Sequence, residues 1–291
     1  MKKFKMLTIL LIAIGALSIN NVKASDVIVG NYVTMTQEEF DNLKSQGFSE
    51  FQILNISESE FERLKDLKGE VVSRVTKYYK TTYPSSNFYT SNASRNTQMP
   101  ITEEITKEEY DAIGENKSRV SSPLETAAKN ITTTIASVSG KYRYNISTNW
   151  KQMPSARSYD VTGIGYNSNV KLSGTPTFAQ VFCTSTLVSS CSSSTAHSIK
   201  KASTGVAASF VLKSGTYKTI TVGLYFDVVK NTTSTIKSQK AIGHYRHADG
   251  NITYDPINSV SVGDYGVIIN NEFKPKYEDM PTVDATWNGS W

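Results

Sequence analysis

The stretch KYRYNISTNW (141–150) sets Tyr142, Tyr144, Ile146, Thr148 and Trp150 on one side and Lys141, Arg143, Asn145, Ser147 and Asn149 on the other. Successive side chains of an extended chain point to opposite faces, so this period of two commits the segment to a strand with a buried face. TITVGLYFDVV (219–229) repeats it with Ile220, Val222, Leu224, Phe226 and Val228 inward, and weaker versions occupy 157–166, 176–184, 205–212 and 236–247. Turn formers separate these runs at Ser139-Gly140, Met153-Pro154, Asn167-Ser168-Asn169, Ser214-Gly215 and Asp249-Gly250. Many short alternating strands with no long helix between them predict a mainly β fold, an antiparallel β-sandwich or barrel over 130–291.

The front of the chain obeys a different rule. TQEEFDNL (36–43), SESEFERL (57–64) and TKEEYDAI (106–113) place Thr36, Ser57 and Thr106 three residues before Glu39, Glu60 and Glu109. That spacing is a capping box: the hydroxyl accepts the N3 amide hydrogen while the N3 carboxylate reaches back to the N-cap amide. Met35, Ile56 and Ile105 precede the caps as staples for Phe40, Phe61 and Tyr110, and Gly47, Gly69 and Gly114 follow as helix stops. Ser49/Gln52 forms another box, and Ser122-Pro123-Leu124-Glu125 a further one. The octamers are therefore helix-start signals, and a β-branched strand, GEVVSRVTKYYKTTY (69–83), and a polar connector (84–100) lie between them. The expected organisation is a signal peptide over 1–24, a short-helix module over 25–69, a strand with connector and short helices over 70–129, and the β domain over 130–291.

The leader carries Lys2, Lys3 and Lys5, an apolar run from Met6 to Leu17 and a small-residue site ending at Ala24. It reads as a secretory signal, which implies a secreted, extracellular protein, with association with the cell envelope as the second expectation. Beyond it the charge is uneven: 17 acids and 11 bases over 25–125, against 5 acids and 14 bases over 126–271. Lys200, Lys201, Lys213, Lys218, Lys230, Lys237 and Lys240 make the β region basic, so a cell-wall polymer, a glycan or an anionic lipid surface is the expected partner. No nucleic-acid recognition motif is present. The charge split also suggests that the front module docks on the β region and masks its basic face.

Chemistry-bearing patterns are few. Cys183 and Cys191, the only cysteines, are expected to close a small disulfide in an oxidising compartment. His244 and His247 are weak metal candidates: three apart on a strand they point to opposite faces, and ordinary surface or cross-strand roles suit them better. HExxH and GxSxG are absent, and 126–271 offers no glutamate and only Asp160, Asp227, Asp249, Asp255 and Asp264 as carboxylates. No cofactor is implied, and no convergence of imidazole with carboxylate is expected. Gly163 and Gly165 inside a strand mark a bend or a close backbone approach. Tyr78, Tyr79, Tyr83, Phe88, Tyr89, Trp287 and Trp291 are conceivable sugar platforms, though packing roles explain them as well.

The capped helical leader, the GEVVSRVTKYYK strand and the serine-rich β half ending in TWNGSW resemble secreted proteins of Gram-positive bacteria for which no activity is known. The resemblance implies export and supplies no catalytic residues. The residues thus point to a non-enzymatic secreted β domain that binds an anionic or saccharide component of the envelope or host surface. Two alternatives remain: a membrane-active protein in which KNITTTIASVSGKYRYNIS (129–147) refolds as a spanning hairpin, and a hydrolase with dispersed residues using His244 or His247.

Overall fold

A computed structural model describes residues 27–83, 100–113, 125–270, 277–278 and 280–291. The leader, most of the polar connector with Phe88 and Tyr89, Gly114 and the Ser122-Pro123-Leu124 helix start lie outside the described residues.

The chain opens with a small hairpin of β1 (Val27–Val29) and β2 (Thr34–Thr36), then α1 (Gln37–Ser45), α2 (Glu50–Leu54) and α3 (Glu58–Leu64). Thr36/Glu39 and Ser49/Gln52 form both bonds of their capping boxes, as does Thr106/Glu109 at α4 (Lys107–Ala112). At α3 only half the box forms. Ser57 accepts from the Glu60 amide, but the Glu60 carboxylate turns away to bind Arg63 at 2.6 Å and the Tyr225 hydroxyl at 2.6 Å. A tertiary contact has taken the side chain that the local motif would use. Gly47 ends α1 with φ at 97°, where a side chain would be strained, whereas Gly69 has no positive φ and opens the next strand.

That strand, β3 (Gly69–Tyr83), pairs with β4 (Ile101–Ile105) on one side and β5 (Glu125–Val138) on the other. β6 (Lys141–Gln152) follows β5 through Ser139-Gly140, both with positive φ, the signature of a tight hairpin turn. β8 (Val170–Cys183), β9 (Cys191–Ser194) and β12 (Thr219–Lys230) complete a seven-stranded antiparallel sheet ordered β4-β3-β5-β6-β12-β8-β9. A five-stranded antiparallel sheet, β10-β11-β7-β13-β16, is built from β7 (Tyr159–Tyr166), β10 (Ser198–Ala202), β11 (Gly205–Val211), β13 (Ser238–Arg246) and β16 (Val283–Asn288). Because β3 and β5 are paired along their lengths, the expected boundary at residue 130 falls inside β5 rather than between domains.

The two open sheets face each other as a β-sandwich, and the inward residues expected from the alternation form its core: Tyr144, Ile146, Trp150, Ile220, Val222, Leu224, Phe226 and Val228 are all buried. Two further layers cover the outer faces. The helices lie on the seven-stranded sheet, where Phe40, Leu43, Phe48, Ile53, Phe61 and Leu64 pack with Tyr225. A hairpin of β14 (Val260–Gly263) and β15 (Gly266–Ile269) lies on the five-stranded sheet with Val161, Ala207 and Ile252. Gly165 permits this contact, since a Cβ there would stand 1.7 Å from the Gly263 carbonyl oxygen. The close-approach expectation for Gly163 and Gly165 is met.

The outer layers change the fate of the polar faces. Arg143 and Asn145 belong to the side of β6 that alternation leaves for solvent, yet they are 1% and 2% exposed beneath the helices. Arg143 donates to Asp227 at 2.8 Å and to Gln46 at 2.8 Å, and Asn145 donates to the Gly47 carbonyl at 3.0 Å. The helical module does dock on the sheet, but the cation it covers is Arg143. Lys201, Lys213, Lys218, Lys237 and Lys240 stay exposed, so masking of the lysines is not what docking achieves.

Candidate functional site

A recess lies where the chain leaves β9, at the edge of one sheet, for β10, at the edge of the other. This crossover exposes the flank of β11 and encloses about 410 Å³ between Tyr159, Gln180, Ser194, Ser198, Ser209 and Asp255, with His197 and Lys213 at its rim. Its walls are held by short polar ties. Gln180 donates to the Val211 carbonyl at 3.1 Å and accepts from the Lys213 amide at 2.8 Å. Asp255 accepts from the Ser209 hydroxyl and, at 2.9 Å, from the Ile257 amide. The His197 ring lies against Phe178, with centroids 4.8 Å apart, and the Lys213 ammonium stands 5.1 Å from the Phe182 centroid. The arrangement offers hydroxyl, carboxylate and ammonium groups beside the rings of Tyr159 and Phe210. A second, apolar cavity of about 120 Å³ is the seam between Phe48, Ile56 and Tyr225 beneath the helices.

The disulfide between Cys183 and Cys191 forms as expected and joins directly paired residues of β8 and β9, where β9 begins. The seven lysines are not gathered into one patch. Lys213 alone lines the recess, Lys200 and Lys201 lie on β10, and Lys200 is tied to the Asn258 carbonyl at 3.2 Å. Lys218 and Lys230 bracket β12 at opposite ends, roughly 40 Å apart at strand rise. Lys237 precedes β13, and Lys240 on that strand is paired with Asp284 at 2.6 Å. The aromatic platforms are packing residues: Tyr79 and Tyr83 are buried, Tyr78 packs on Tyr110, and Trp287 and Trp291 close on Tyr142 at 5.1 and 4.7 Å.

The histidines contradict the expectation of ordinary surface or cross-strand roles. His244 is 3% exposed and structural: Nε2 lies 2.8 Å from the Met280 carbonyl, and Nδ1 accepts from the Val267 amide at 3.1 Å. His247, wholly buried just past β13, lies with Nδ1 3.0 Å from both carboxylate oxygens of Asp160 on β7. Asp160 also accepts from the Ala248 amide at 3.0 Å and from the Tyr245 hydroxyl, which in turn accepts from Trp150 at 3.1 Å. Beside this pair, Glu278 makes a fully buried ion pair with Lys129, whose ammonium sits 4.2 Å over the Trp150 ring. The Tyr83 hydroxyl donates to Glu278 at 3.3 Å.

Burial opposes ionisation of Glu278, but the charges of Lys129 and His247 and hydrogen bonds from Lys129 and Thr81 hold it below the usual glutamate range. Asp249 behaves oppositely: burial, reinforced by the Glu278 charge, pushes it up to about 7. Imidazole and carboxylates thus converge where the sequence reading expected none. The residues come from Lys129, Asp160, His247, Asp249 and Glu278, scattered along the chain. The readable signal was His247-Ala248-Asp249, since two residues apart on an extended segment share a side. With Asp160 and His247 at 0% exposure, the cluster lies inside the fold rather than at a surface cleft.

No protein-family model matches the sequence, and no curated protein is similar enough to match. Among solved structures, the chain is similar to the collagen-binding domain of the Erysipelothrix rhusiopathiae surface protein RspB, at 9% identity and a TM-score of 0.27. The overlap covers 57% of this chain and 66% of that one, just under two thirds of that domain.

Proposed function

We propose that this is an exported, non-enzymatic binding protein whose sandwich takes a saccharide component of the cell envelope or host surface in the crossover recess. The observation that carries the reading is the recess itself. Its hydroxyls and carboxylate, set around half-buried Tyr159, are the groups that hydrogen-bond sugar hydroxyls. The disulfide supports an oxidising, extracellular setting. No helix among the described residues is long and apolar enough to cross a membrane.

The scattered lysines supply a diffuse positive field that favours encounter with anionic polymers and leaves specificity to the recess. The hairpin β5–β6 is paired on its outer sides with β3 and β12, which weighs against its release as a membrane-spanning element.

The test is retention of the full mature chain on isolated cell walls and insoluble glycans, comparing wild type with Ala196→Trp. Ala196 is exposed and lines the recess, so the indole fills it without disturbing the core. Loss of retention in the variant, with wild-type binding that survives moderate salt, is expected. Equal retention by both proteins, or binding abolished by salt alone, would refute the recess as the site.

A further inference from the structure

The buried cluster raises a question that saccharide binding does not answer. Three carboxylates, Asp160, Asp249 and Glu278, gather around one imidazole, that of His247, and Lys129 pairs with Glu278. Arg246 donates to the Glu278 main-chain carbonyl at 3.0 Å. Glu278 is matched by Lys129, and Asp160 by His247, Ala248 and Tyr245, whereas a carboxylate oxygen of Asp249 is buried without a partner, and a buried polar atom is costly unless matched.

The geometry says where a partner for it would sit. A ring nitrogen of His247 and carboxylate oxygens of Asp249 and Glu278 lie within 4.8 Å of one another. Nδ1 of His247 is engaged by Asp160, which leaves Nε2 as the ligand atom, and this buried Nε2 has no hydrogen-bond partner. Oδ1 of Asp249 is likewise buried and without one. A carboxylate behind the far nitrogen of a histidine fixes ring and tautomer, the arrangement that supports metal-ligating imidazoles.

We propose that His247, Asp249 and Glu278 form a site for a divalent transition cation of the zinc class. One nitrogen and two carboxylate donors suit zinc better than calcium or magnesium, which prefer all-oxygen shells. The ion would give the buried Nε2 of His247 and Oδ1 of Asp249 the partner they lack. Zinc bonds of about 2.0–2.2 Å require the three donors to draw inward from their present spacing within 4.8 Å. The ion would fasten the segment bearing Glu278 to the end of β13. This site is independent of the recess, and its test does not depend on any glycan.

The experiment uses the full mature chain stripped with EDTA. Zinc is added either to the folded protein or during refolding, with binding followed by calorimetry, thermal unfolding and the absorption bands of substituted cobalt. One zinc per chain, at micromolar affinity or tighter, and a rise in melting temperature are expected. Asp249→Asn, at the least buried of the three ligands, should fold with unchanged circular dichroism and bind at least about tenfold more weakly. His197→Ala, which removes the exposed histidine, should bind as wild type does. Absence of stoichiometric binding by both routes, equal affinity in Asp249→Asn, or loss of binding in His197→Ala would each overturn the proposal.

Discussion

Replacing Lys129 with methionine probes the interior of the sandwich most sharply. The ammonium is paired with Glu278 at 0% exposure for both side chains and lies 4.2 Å over the Trp150 ring. Methionine fills much of the same volume and leaves the Glu278 carboxylate buried without its partner. Removing one member of a buried pair costs about 3–5 kcal/mol, and loss of the desolvated cation–π contact adds up to ~2 kcal/mol. At roughly 2–4 °C per kcal/mol for a chain of this size, melting should fall by on the order of 10 °C.

The pH dependence gives the mechanism its own signature. In the wild type Glu278 is held below its usual range, so its stabilisation is present above the unfolded value of about 4.3 and lost as pH falls through the folded value. In the variant burial acts without Lys129 and pushes Glu278 up. The folded state then favours the protonated acid, and the penalty grows as pH rises. The deficit of Lys129→Met should therefore be largest at neutral pH and shrink below about pH 4. Urea denaturation in EDTA at both pH values measures it. Adding Glu278→Gln should recover most of the loss. A deficit under about 1 kcal/mol at pH 7, or one independent of pH, would refute the argument.

Three further outcomes follow from the layers. Gly165→Ala drives a Cβ to 1.7 Å from the Gly263 oxygen, so the β14–β15 hairpin must lift; we expect a loss of ~3 kcal/mol and faster amide exchange over Val260–Ile269. Replacing Cys183 and Cys191 together with alanine should cost ~2.5 kcal/mol by chain entropy, read by denaturant midpoint, with the rest of the sandwich intact. Glu60→Ala should cost about 2 kcal/mol and Glu109→Ala about 1 kcal/mol by thermal unfolding, because Glu60 holds Tyr225 and Arg63 whereas Glu109 serves only its cap.

Much of this architecture was legible because it is local. Alternation placed the inward residues of β6 and β12 correctly, hydroxyl-to-acid spacing marked the helix starts, and Ser139-Gly140 marked the hairpin. What stayed hidden depends on covers supplied by distant chain. Arg143 and Asn145 look like a solvent face until the helices settle on them, and Glu60 leaves its cap only because Tyr225 arrives from across the fold. The Asp160–His247 pair was invisible for the same reason. Its members are 87 residues apart, and Lys129 reaches Glu278 across 149. The recess also escaped notice, since Ser194, Ser198 and Asp255 are unremarkable loop and strand-end residues until the crossover folds them around β11. Basic composition, by contrast, suggested a patch where the strands distribute the lysines.

The most direct test of the account is hydrogen-exchange mass spectrometry of the full mature chain with and without soluble fragments of the wall or host glycan it retains. Slowed exchange over 192–199 and 210–214, with no change around Lys230 and Lys237, is the result the recess predicts. Protection centred on the lysines, with the crossover unaffected, would contradict it.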